Sequence, residues 1–177
     1  RGERLRRDAP SATISFIEFS GYVNAVDHVM DNYSLRTFTP SMMMPGRAAS
    51  NPDRVTYGGR AALGWTPSES WRIELGVGHQ AHRHRSRSTR NQPADPFAAK
   101  ARGRDATFST TGIFAEATRH LSVAQRLIAG LRADRWRAVD HRSFVSTGMM
   151  GTAANPTARA RRATTLPSGF VRYEHDL

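Results

Sequence analysis

IEFSGYVNAVDHVM, residues Ile17 to Met30, alternates in character from one residue to the next. Ile17, Phe19, Gly21, Val23, Ala25 and Val29 fall on one side, apolar or small except for Asp27. Glu18, Ser20, Tyr22, Asn24, His28 and Met30 fall on the other, with Val26 out of pattern. A period of two belongs to a β-strand, whose side chains point to opposite faces in turn. At ~3.4 Å per residue the stretch would run roughly 45 Å, longer than an ordinary globular strand. A strand that long, apolar on one side and polar on the other, suits a transmembrane β-barrel with a wet interior.

The same alternation recurs on both sides of this stretch. The strand begins near Ala12, and Ile14 and Phe16 are out of phase with Ile17 and Phe19, which predicts a bulge near Phe16. It is expected to continue through Met30, towards Leu35. Arg1 to Ser11 is polar and turn-like. Further strands are expected over Arg54–Thr66, Trp71–Ser86, Thr107–Thr118, Arg126–Asp140 and from Thr164 to the end. Long segments rich in proline, glycine or polar residues separate some of them: Thr37–Asp53, Arg87–Asp105 and His141–Ala163. Short turns at Pro67–Ser70 and His120–Gln125 separate the others. Trp65 and Trp71 flank the first short turn on the apolar side, where an interfacial aromatic belt belongs.

Connections that alternate long and short are the habit of outer-membrane barrels, with short periplasmic turns and long extracellular loops. The fold class expected is therefore all-β, an antiparallel transmembrane β-barrel fragment. About six strands cannot close a barrel, because about eight is the minimum, so residues 1–177 read as part of a larger barrel. The chain opens on Arg1 without a signal peptide and is expected to be an interior piece. A soluble all-β sandwich also alternates, but needs neither such long strands nor tryptophans at the turn ends.

Formal net charge is +11, carried almost wholly by arginine, since Lys100 is the only lysine. Such a charge raises a soluble basic β-protein that binds nucleic acid as an alternative. The arginines are not gathered on one expected face, so the leading reading has no nucleic-acid partner. With no cysteine, a disulfide framework or cysteine–zinc site within the chain is excluded.

His28 and Met30 are the first candidate metal ligands. Two residues apart on a strand, they project to the same, polar side. Thioether sulfur suits Cu(I), and imidazole suits copper in either oxidation state. The alternative is a packed methionine beside a hydrogen-bonded histidine. His82 and His84 repeat the spacing, but Arg83, Arg85 and Arg87 would repel a cation there. Met42, Met43, Met44, Met149 and Met150 lie in expected outer loops, where they would gather soft metal or pack against neighbouring loops. Arg60, Arg72, Glu74, Glu116, Arg132, Asp134, Arg172 and Glu174 share the interior phase and are expected to pair across strands and with whatever fills the barrel. No nucleophile–base pair or phosphate loop is evident, so no enzymatic activity is expected.

Four segments resemble the barrel of TonB-dependent outer-membrane receptors: AVDHVMDNYSLR (Ala25–Arg36), GGRAALGWTPSESWRIELGVGHQ (Gly58–Gln80), QRLIAGLRADRWRAVDHR (Gln125–Arg142) and TLPSGFVRYEHDL (Thr165–Leu177). The resemblance is closest to the TonB-dependent copper receptors, and VDHVMDNYSLR is its most specific piece. It implies a roughly 22-stranded barrel, a plug domain inside it that this chain lacks, and energy from an inner-membrane TonB complex. In those receptors an HxM pair in the barrel joins soft ligands from the plug, a cysteine and a methionine among them. His28-Val29-Met30 matches the barrel half. The resemblance thus implies copper, as transported ligand, and lipid, plug and TonB as partners, in the outer membrane of a Gram-negative bacterium. A receptor of the same build for an iron–siderophore complex is the alternative within the class.

Overall fold

The computed structural model describes residues 1–148 and 151–176. Among the described residues twelve strands follow one another: β1 (Gly2–Asp8), β2 (Ile14–Asp27), β3 (Met30–Asp31), β4 (Ala49–Ser50), β5 (Asp53–Ser68), β6 (Trp71–Ser86), β7 (Ser88–Thr89), β8 (Gly103–His120), β9 (Gln125–Asp140), β10 (Phe144–Ser146), β11 (Thr152–Ala154) and β12 (Arg161–His175). Seven of them form one sheet in the order β1-β2-β5-β6-β8-β9-β12, every neighbour antiparallel. The sheet is a meander with free edges at β1 and β12, and it does not close. The remaining short strands pair within the long loops, β3-β4-β7 in one small sheet and β10-β11 in another. All three long loops leave from one end of the large sheet, and the short turns from the other.

The six long strands run 14 to 18 residues. Ordinary globular strands run about 3–10. The expected bulge is present: the β2–β5 register shifts between Ile14 and Phe16. Ile14 thereby pairs with Trp65 on the apolar face, while Phe16 turns to the polar face opposite Gly64. Two further shifts fall between Trp65 and Ser68 and between His84 and Arg85.

One expectation is corrected. Residues 2–8, read as turn-like, form β1, so the sheet has seven strands rather than six. The segment GERLRRD is polar on both sides and shows no alternation of hydrophobicity. It is held instead by Glu18, which lies across from Arg6 and is buried. Arg4 Nη2 donates to the Glu18 carboxylate at 2.5 Å and Arg6 Nη1 at 3.2 Å.

Register sorts the sheet into two faces. One row of opposed residues runs Ile17, Leu63, Leu75, Ala115, Leu131, and the next runs Phe19, Ala61, Val77, Ile113, Ala133. This face has no second layer: Leu131 is 72% exposed and Ile113 64%. A soluble sandwich would bury such a face, because apolar side chains leave water wherever a partner layer exists. Here, among the described residues, the buried apolar side chains are Ala49, Ala62, Ala81 and Ile128.

The opposite face carries the charges. Arg60 pairs with Glu74, and Arg60 Nη1 lies 3.7 Å from Glu18. Arg132 binds Asp134 through two N–H groups at 2.6 and 2.7 Å, and Arg172 and Arg126 both pair with Glu174. Two of these pairs, Arg132–Asp134 and Arg172–Glu174, join residues two apart on one strand, and the others join residues across strands. Three phenylalanines on this face each cover a glycine directly opposite: Phe16 over Gly64, Phe114 over Gly76 and Phe170 over Gly130. A β-carbon added at any of these glycines would overlap the ring. The Arg60 guanidinium stacks on Phe114 at 4.7 Å.

Candidate metal site and its supports

The ladder between β2 and β5 stops at the pair Asp27–Asp53. Pro52 precedes Asp53 and has no N–H to extend it. His28 N still donates to Pro52 O at 3.0 Å, and then the chain departs. The strand therefore ends three residues short of Met30. His28 and Val29 lie between strands, and Met30 starts the separate strand β3, opposite Ser50. The alternation that placed His28 and Met30 on one side does not run through them.

What holds this corner is a polar network. Asp27 and Asp53 sit opposite one another, two like charges at close range. Arg102, from the second long loop, donates Nη2 to Asp27 at 2.8 Å and Nη1 to Asp53. Arg85 binds Asp53 in a fork, Nε to Oδ1 at 3.0 Å and Nη2 to Oδ2 at 2.5 Å. Two cations thus balance two carboxylates. The Asp27 and Asp53 carboxylates in turn raise the Arg102 guanidinium above its ordinary value.

Asn51 lies at the centre and is 1% exposed. Its Nδ2 donates to Asp27 Oδ1 at 2.5 Å and to the backbone oxygen of His28 at 2.9 Å. Its Oδ1 accepts from Arg87 Nε at 2.8 Å and Arg102 Nη2 at 2.6 Å. Asn51 and Arg87 also exchange backbone hydrogen bonds at 2.8 and 3.3 Å. The backbone at 28–30 is thereby tied to both the first and the second long loop.

The side chains of His28 and Met30 are exposed, Met30 to 51%. Among the described residues the His28 ring makes no hydrogen bond. The other histidines of the long-loop half are all engaged. His79 pairs with Thr111 at 2.8 Å, His82 with Thr56 at 3.0 Å and Gln80 at 2.6 Å, His84 with Asp105 at 3.0 Å, and His141 with Thr107 at 3.0 Å. His82 and His84 thus have structural partners and are not poised as ligands. Next to Met30, the Asp31 carboxylate accepts from the amides of Ser34 at 2.7 Å and Tyr33 at 2.9 Å. Those two amides hold its pKa below the ordinary carboxylate value.

No group of three or more His, Cys, Asp or Glu side chains is arranged to hold a metal among the described residues. His28 and Met30 would supply two soft-tolerant ligands and leave the rest of a coordination sphere open. Met42, Met43 and Met44 lie in the first long loop, 96%, 66% and 50% exposed, and Met44 Sδ accepts from Asn32 Nδ2 at 3.7 Å. Met149 and Met150 lie outside the described residues. Asn51 and Arg102 were not singled out from sequence. An Asn-Pro-Asp tripeptide signals only a loop, and nothing local reveals that Arg102 docks on it.

No protein-family model and no curated protein sequence matches the chain. A solved structure does, over 99% of this chain, at 41% identity and with a TM-score of 0.91. That structure is the copper transporter OprC. The chain spans 28% of the length of OprC. An all-β antiparallel sheet that superposes this closely, at this identity, has the fold of a fragment of OprC over nearly its whole length.

Proposed function

We propose that the chain is part of the β-barrel of a TonB-dependent outer-membrane receptor that takes up copper. The observation that carries this reading is the 41% identity to the copper transporter OprC over 99% of the chain. The unlayered apolar face supports it: Leu131 and Ile113 need a solvent other than water, and a bilayer supplies one. The strands of one end carry Trp65, Trp71 and Tyr173 on that face, at the level of a lipid–water interface. Free edges at β1 and β12 are costly in hydrocarbon, so further strands of the same barrel cover them in the assembled receptor. The plug domain and the TonB complex are partners outside this chain.

His28 and Met30 are the proposed metal ligands on the barrel side. A thioether and a neutral imidazole favour Cu(I) over hard cations such as Mg2+ or Ca2+. The Asn51–Asp27–Arg102 network holds the His28 backbone through its carbonyl, and Met30 is held by its pairing with Ser50, next to Asn51. The Asp31 carboxylate adds negative charge beside them. The protein does no covalent chemistry in this reading; it binds, and releases when the plug moves.

The test is copper content of the purified full-length receptor. The wild type is expected to hold stoichiometric copper and the double variant H28A/M30A to lose it. Copper unchanged in the variant rejects the ligands. Iron in place of copper in the wild type rejects the copper assignment in favour of a siderophore-type ligand. Salt-sensitive nucleic-acid binding by protein found in the soluble fraction would reject the membrane reading altogether.

A further inference from the structure

Above the apolar band the same face of the sheet changes character. Arg135 lies in the row of His79 and Thr111, Arg137 in the row of Ala81 and Ser109, and Arg83 and Arg161 in one row with Thr107 and Val139. The register is unbroken from these rows down to Leu75 and Leu131, so all four arginines share the apolar side. They stand on three strands, β6, β9 and β12, with β8 between the first two, and line one groove with Tyr57, Arg104 and Arg162. All four are exposed.

Among the described residues none of the four enters an ion pair. Their one side-chain hydrogen bond is from Arg135 Nη1 to Thr165 Oγ1, at 3.1 Å. The nearest acids on that face are already spoken for or remote. Asp53 belongs to Arg85 and Arg102, and Asp27 to Arg102. Glu3 sits on β1 in the row of His79, three strands across from Arg83 and four residues back along the strand, ~14 Å in each direction. On the opposite face, by contrast, most arginines have a carboxylate. Four uncompensated guanidinium groups in one groove are a built-in attraction for an anion, and the planar fork matches phosphate oxygens.

Position selects the anion. Arg135 is two residues beyond Ala133, the last apolar row, which is ~7 Å along the strand. Arg137 stands ~14 Å beyond that row and Arg83 and Arg161 ~20 Å. With the long loops outward, the first of these rows meets the headgroup level of the outer leaflet. Resting on the barrel-wall reading above, we propose that Arg83, Arg135, Arg137 and Arg161 bind the phosphates of a phosphorylated glycolipid of that leaflet, whose acyl chains lie on the apolar band below.

The full-length receptor tests this in vesicles of phosphatidylcholine doped with a bis-phosphorylated glycolipid or with its dephosphorylated form. Retained glycolipid is counted by native mass spectrometry after gentle extraction. R135Q/R137Q is expected to retain at least about tenfold less of the phosphorylated form than wild type. R135K/R137K, which keeps the charge, should retain most of it and shows that loss is not misfolding. R36Q/R90Q, which removes the same charge from loops, should match wild type, and the dephosphorylated form should not be retained. Inorganic phosphate at equal phosphate concentration should not displace the lipid. Equal retention by wild type and R135Q/R137Q, equal loss in R36Q/R90Q, or displacement by free phosphate overturns the proposal. Wild-type protein that inserts and binds copper yet fails these arms leaves the receptor reading standing; protein that does not insert overturns both.

Discussion

Replacing Asn51 by alanine should loosen the corner that carries His28 and Met30 while leaving the sheet intact. The side chain makes four hydrogen bonds, three of them to charged groups and one to the His28 carbonyl. Bonds to charged partners are worth about 1.5–3 kcal/mol each and neutral ones about 1. Arg87 keeps a second partner in Ala98 O, and Arg102 keeps both aspartates. Only the bonds to Asp27 and to the His28 carbonyl are therefore counted, which gives about 2.5–4 kcal/mol lost from the local opening free energy. At 1.4 kcal/mol per factor of ten, exchange of the protected amides should accelerate roughly 60- to 700-fold. The assay is hydrogen–deuterium exchange of the full-length receptor, followed at the His28 amide, which donates to Pro52 O, and the Arg87 amide, which donates to Asn51 O. Amides of β8 and β9 in mid-sheet serve as the reference and should not change. Copper occupancy should fall in parallel. Unchanged exchange over 28–32 would refute the idea that Asn51 organises this site.

Leu131→Arg discriminates the solvent of the apolar face. Leu131 is already 72% exposed, so in water the change should cost within about 0.5 kcal/mol, whereas at a bilayer midplane it should cost about 2–4 kcal/mol in urea unfolding from vesicles. Gly76→Val should displace Phe114 from its stack on Arg60 and destabilise the barrel by about 1–3 kcal/mol; a silent variant would show that the ring moves freely. The Asp31 carboxylate has a folded pKa below its unfolded value, so its stabilisation is complete above about pH 4 and is lost as pH falls through the folded value. The Ser34 amide should lose protection in that acid window in the wild type and not in D31N, which keeps a neutral acceptor. Trp65 and Trp71 should be quenched by lipids brominated near the headgroup more than by lipids brominated at the chain end; the reverse order would take the short turns away from the interface.

How much of this was legible beforehand follows from the range of the forces involved. Alternation is a local property, so β2, β5, β6, β8, β9 and β12, the bulge at Phe16 and the two faces could be read from residue order. β1 could not, because its cause is Glu18, a buried acid across the ladder that needs Arg4 and Arg6. The end of β2 at Asp27 could not either. It depends on Pro52, twenty-five residues on, facing the strand it interrupts. The histidines show the same limit. His82 and His84 repeat the ligand spacing and the flanking arginines already speak against a cation there, but only pairing with Thr56, Gln80 and Asp105 reveals their structural use.

By itself, then, the order of residues determined which side of each strand is apolar, because side-chain direction alternates with the covalent geometry of an extended chain. The tertiary structure decided which groups meet: Arg102 with Asp27 and Asp53, Asn51 with the carbonyl of His28, and four arginines in one groove above the apolar band. Those meetings join residues up to 75 positions apart, and only the register of neighbouring strands and the docking of loops brings their charges within reach of one another.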